Sequence, residues 1–118
     1  MFDLNRIKST IAVLVLVQFT QDDGSKLQGE FKAHFKRIEQ AEIDAMIDDN
    51  TPNTEVLDRV LESVSGIGSN GQELPAEEQL AWVKRTPECV GAAVAAFFQQ
   101  FRPDRQNEKT SAKRRSRG

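Results

Sequence analysis

The stretch TIAVLVLVQFTQDDGSKLQGEFKAHFKRI, running from Thr10 to Ile38, decides the fold because it holds the strong strand signals of the chain. Ile11 to Val17 is an unbroken apolar run rich in β-branched residues and is extended by Phe19. The polar group Gln21, Asp22, Asp23, Gly24 and Ser25 closes it. That order reads as a strand followed by a turn. Beyond the turn, Leu27, Phe31, Ala33 and Phe35 alternate with Gln28, Glu30, Lys32, His34 and Lys36, the period-2 pattern of a strand with one face in water. Gly29 is its weak position.

The turn sets which side chains meet, since a one-residue slip moves every side chain to the opposite face. A two-residue Asp23-Gly24 turn would place Leu16 opposite Phe31, Leu14 opposite Ala33 and Ala12 opposite Phe35. A three-residue turn, Asp22-Asp23-Gly24 with Gly24 left-handed, places Phe19 opposite Leu27, Val15 opposite Phe31 and Ile11 opposite Phe35. The second register pairs the larger apolar set and is the one we expect. In either, the first strand is apolar on both faces and the second is not. Its extra face is buried under the chain's own helices or offered to another chain, because a two-stranded sheet leaves unpaired edges.

The remainder reads as helices. Ile38, Ala41, Ile43, Ala45, Met46 and Ile47 suit a short helix with Glu39 and Glu42 near its start, broken between Asp48 and Asn53. A second helix with Thr54 as N-cap would carry Val56, Leu57, Val60, Leu61 and Val64 on one face and end at Gly66 and Gly68. Ser65 to Pro75 is a polar, Gly-rich loop whose glycines match no phosphate-binding spacing. A third helix starts at Ala76 with Leu80, Trp82 and Val83. Pro87 forces a restart, and a fourth helix runs through Val90, Val94, Phe97, Phe98 and Phe101 and stops before Pro103. The expected class is therefore α+β: an N-terminal β-hairpin packed against about four short α-helices within residues 1–104, and a disordered basic tail over 105–118.

Composition narrows function. The chain of 118 residues has a net charge of -2. Six basic residues against Glu108 give residues 105–118 a charge of +5, which leaves -7 on residues 1–104. A basic tail of this kind suits phosphate neutralisation, but it has no interleaved aromatics and hangs from an acidic body, so nucleic acid is not the expected partner. The lone Cys89, among Val90, Gly91, Ala92 and Ala93, reads as a packed small hydrophobe, and the lone His34 as a solvated residue on the wet face of the second strand. No nucleophile-base pair, carboxylate pair or ligand cluster argues for catalysis, a metal or a cofactor. The apolar runs fall well short of the roughly 20 residues that span a bilayer, and Met1 to Lys8 does not begin a secretory signal, so a cytoplasmic chain is expected.

Three pieces of the chain together resemble the tail assembly chaperones of long-tailed bacteriophages and prophages. One is the strand, the Asp-Gly turn and the second strand, Gly29 to Ile38, running directly into the acidic Glu39-Gln40-Ala41-Glu42. Another is Val64-Ser65-Gly66-Ile67 followed by Asn70-Gly71-Gln72-Glu73-Leu74-Pro75. The third is Thr86-Pro87 ahead of a final helix that ends in aromatics. Val64 and Ala76 stand where the family often has Trp and another aromatic. The resemblance covers roughly residues 10 to 102. It implies a non-enzymatic protein of the bacterial host cytoplasm, absent from the finished virion, that binds the tape measure protein and helps tail tube protein polymerise around it. A structural head-to-tail or tail protein of the virion and a small nucleic-acid-binding regulator using the basic tail are the alternatives. The expected partner-binding residues are Leu14, Leu16, Phe97, Phe98 and Phe101, the apolar positions for which a domain this small has least internal need, with self-association as a further use of the same surface.

Overall fold

The computed structural model describes residues 1–101; the expected tail over 105–118 lies outside them. A short 3-10 turn, Leu4–Arg6, precedes the hairpin of β1 (Thr10–Thr20) and β2 (Lys26–Lys36). Ile11 pairs with Phe35, Val15 with Phe31 and Phe19 with Leu27, the register of the three-residue turn. Gly24 takes φ +86° and its N–H donates to the Gln21 carbonyl at 2.9 Å. The Asp23 carboxylate accepts from the Ser25 hydroxyl at 2.6 Å and from its N–H at 2.9 Å, so the turn is held by a residue suited to local backbone bonding. This register matters downstream, because it places Val15, Val17, Phe31, Ala33 and Phe35 together on the buried face.

The helix α1 (Gln40–Asp48) follows at once. Asn50, at φ 54°, ends it: the Asn50 N–H donates to Ile47 and the Thr51 N–H to Met46, which satisfies two carbonyls the last turn would otherwise orphan. Then comes α2 (Asn53–Val60), starting two residues earlier than the Thr54 cap allowed, with Pro52 in the cap position.

Here the structure departs from the expected helix through Val64. The chain leaves helical geometry at Leu61 and enters β3 (Leu61–Ser65), which pairs antiparallel with the free edge of β2 and makes a three-stranded sheet in the order β1-β2-β3. Leu61 and Val64 stay buried either way. The register shifts between His34 and Phe35, where Phe35 faces Leu61 and His34 faces Ser63. Glu62 is thereby left out of the ladder as a bulge. Satisfying the backbone groups along β2 outweighs about one more helical turn, since an unpaired row of buried N–H and C=O groups costs more than a propensity difference.

The Gly-rich loop is ordered as a small hairpin of β4 (Gly68–Ser69) and β5 (Gln72–Glu73), turned by Asn70 and Gly71 at φ 54° and 81°. Gln79, buried on α3 (Ala76–Arg85), clamps it. Its Oε1 accepts from the Ile67 N–H at 2.9 Å, and its Nε2 donates to the Leu74 carbonyl at 2.6 Å and to Glu73 Oε2 at 3.1 Å. The final helix α4 (Pro87–Phe101) begins with proline, which suits the first helical position. One hydrophobic core joins the inner face of the sheet to α1, α2, α3 and α4 through Phe35, Ile43, Met46, Leu57, Val83, Cys89 and Phe97.

Candidate interaction surface

Because β1 alternates, its odd-numbered side chains enter the core and its even-numbered ones stand on the opposite face of the sheet. The helices cover the inner face alone. Leu14 and Leu16 are therefore 55% and 56% exposed, flanked across the ladder by Lys32 and Glu30 of β2. At the same face His34 is half-buried rather than solvated, with Nε2 3.2 Å from the Ser65 hydroxyl. Beside it an open depression of about 780 Å³ is walled by Phe2, Ile7, Thr10, Ala12, His34 and Arg37. Arg37 Nε donates to the Lys8 carbonyl at 2.9 Å and ties the N-terminal segment to the hairpin. Met1, Phe2, Leu4 and Ile7 are all exposed. With the two leucines they put six apolar side chains on view.

The five residues expected to bind a partner do not form one surface. Leu14 and Leu16 are on the outer face. Phe97 is fully buried, and its ring meets those of Phe35, Phe98 and Phe101 at 5.3, 5.3 and 4.9 Å between centroids. A surface role for Phe97 is thus corrected to a core role: it is the residue through which α4 closes on the sheet. Phe98 and Phe101 are half-buried against it, on the helix side. The sheet, one residue layer thick, separates them from the leucines.

At the other end of α4 a second apolar opening of about 190 Å³ lies between the sheet and α3, lined by Val17, Phe19, Phe31, Ile67, Trp82 and Cys89. Gly29 opposite Val17 leaves it unfilled, as a Cβ there would meet no atom within 4 Å. Burial pushes the Cys89 thiol up to about 11, with Glu88 adding to the effect, so the sulfur is a packed hydrophobe and not a nucleophile. Among the described residues no three His, Cys, Asp or Glu side chains gather as a metal site. No helix of the described residues is long and apolar enough to cross a membrane.

Sequence reasoning missed the N-terminal apolar group and the opening beside Trp82. Phe2, Leu4 and Ile7 follow neither the helical nor the strand period, so no periodic signal marks them. Gly29 was the one visible trace of the opening. Comparison with protein-family models, with curated proteins and with solved structures finds no match.

Proposed function

We propose that the protein is a non-catalytic tail assembly chaperone of the host cytoplasm, which binds the tape measure protein and promotes polymerisation of tail tube protein without being retained in the virion. The observation that carries this reading is Leu14 and Leu16, more than half exposed side by side on an ordered strand. Two neighbouring leucines held in water by a rigid sheet are suited to docking an apolar segment of another chain, because the cost of ordering that surface is already met on folding. The three segments resembling the chaperone family name the kind of partner. A long tape measure segment needs cover until the tube encloses it, and many weakly bound copies of an acidic domain would supply it.

Co-expression with the tape measure protein encoded in the same genome is expected to recover a complex. Leu16→Asp should release it while leaving the fold intact. Purified components that fail to associate at micromolar concentration, together with unchanged tail length and yield on deletion, would remove the proposal. Mass spectrometry of purified particles separates a chaperone, absent or in traces, from a head-to-tail component present in stoichiometric amount.

A further inference from the structure

The geometry points to an antiparallel pairing of β1 with β1 of a second copy of this chain, across a two-fold axis at Val15, joining two three-stranded sheets into one of six strands. The inference does not depend on the tail-chaperone reading. It begins with the position of β1, which is an end strand: among the described residues its one sheet neighbour is β2. An edge of eleven residues is about twice the usual strand length. Proteins commonly protect such edges with charge, proline or a bulge. Thr10 to Thr20 contains no charged residue and no proline, and its register against β2 runs without a break.

The hydrogen-bond parity of the hairpin identifies the groups left open. The Gln21 N–H donates to the Ser25 carbonyl at 2.8 Å and the Arg37 N–H to the Ser9 carbonyl at 2.9 Å. Hydrogen-bonded pairs alternate along an antiparallel ladder, so odd-numbered residues of β1 bond to β2. The even-numbered residues Thr10, Ala12, Leu14, Leu16, Gln18 and Thr20 turn their N–H and C=O groups to the free edge.

A second β1 answers this edge on every count. Antiparallel pairing must set even residues opposite even residues, since these carry the open groups and share a face. With the axis at Val15, Leu14 meets the second copy's Leu16, Ala12 meets Gln18 and Thr10 meets Thr20 among hydrogen-bonded pairs. Val13 then meets Val17 and Ile11 meets Phe19 on the inner face. Thr10–Thr20 is centred on Val15, so all eleven residues are paired. Moving the axis one residue either way leaves residues of β1 unpaired at each end and sets Leu14 or Leu16 against its own copy. The absence of charge that leaves the edge unprotected also means that two such edges meet without like-charge repulsion.

Size sets the strength. A strip roughly 37 Å long and about 10 Å thick covers about 700 Å² over both copies, below the roughly 1,200 Å² of a standard stable interface. The dimer is accordingly a weak and reversible one. The pairing would also lay four leucines side by side on the outer face.

Sedimentation of the full chain from about 1 to 500 μM, with amide exchange at each end of that range, tests the pairing. The expected result is a monomer-dimer equilibrium in which the amides of Ala12, Leu14, Leu16 and Gln18 gain protection of tenfold or more with concentration. Those of Val13, Val15 and Val17 are protected throughout. The register is read by charge. Leu14→Lys with Leu16→Lys should abolish the dimer, whereas Leu14→Lys with Leu16→Glu should retain it, because each Lys then faces a Glu. Both pairs of sites are exposed, and an unchanged Tm confirms that the variants fold. A chain monomeric at 500 μM, or a dimer whose even-numbered amides stay unprotected, overturns the pairing. A Lys/Glu variant that dissociates as fully as the Lys/Lys variant overturns the axis at Val15.

Discussion

Phe35 of the central strand and Phe97 of the last helix meet edge to face, with ring centroids 5.3 Å apart and planes at 65°, and both are fully buried. Residues 62 apart in sequence thus lock the sheet to α4. Phe97→Ala removes the central ring of a four-phenylalanine cluster and is expected to cost about 3–5 kcal/mol, enough to unfold much of a domain this size. Chemical denaturation checks it.

Leu14→Asp and Leu16→Asp act on the opposite face, where the side chains touch water. Each should shift stability by no more than about 0.5 kcal/mol. Equal Tm values for these variants and for wild type, set against collapse of Phe97→Ala, would separate surface from core by calorimetry alone.

Gln79 makes three hydrogen bonds that no apolar residue can replace. Gln79→Leu keeps the bulk and is expected to cost about 3 kcal/mol, at roughly 1 kcal/mol per bond. Exchange protection should be lost first at Ile67, whose N–H would have no acceptor.

The Gln79 amide, and after it the Gly66 N–H, hold the Glu73 carboxyl below its ordinary value of 4.5. A lowered folded value means that this contribution is present above the unfolded value and lost as pH falls below it. Stability should therefore decline from about pH 4.5 downwards, and Glu73→Gln should flatten that part of the curve. The Cys89 thiol works in the other direction. Raised from 9.0 to about 11, it contributes stability that is intact below pH 9.0 and is lost as pH rises through 11. Cys89→Ala should remove the alkaline limb in urea titrations, and native Cys89 should react with a thiol reagent only as fast as the core opens.

Gly91 lies exposed in the middle of α4, and a Cβ there would meet nothing within 4 Å. Gly91→Ala should raise stability by about 0.5–1 kcal/mol. Gly68→Ala should do the reverse, because its Cβ would approach the Gln72 carbonyl oxygen to 2.5 Å and force β4 from β5. Thermal melts of the two variants should move in opposite directions.

Local patterns were enough to read the hairpin, its three-residue turn and the helices from Gln40, Ala76 and Pro87, since strand alternation, a left-handed glycine and helix breakers act within a few residues of chain. That Leu14 and Leu16 lie on the surplus face of a strand apolar on both sides was legible too, but that this face stands in water and not under the helices was decided by the tertiary structure. Leu61 to Ser65 was not. Its apolar spacing fits a continuing helix as well as a strand, and what decides between them is the open edge of β2, which lies about 30 residues earlier in the chain. Phe97, Phe98 and Phe101 pose the same problem: helical spacing shows three aromatics near one face, but packing against the sheet, where Phe97 meets Phe35, decides that Phe97 is enclosed while the other two remain half-buried. The free edge of β1 is likewise a property of strand order, because a sequence can state that a strand exists but which of its two edges finds a partner is set by every other strand in the fold.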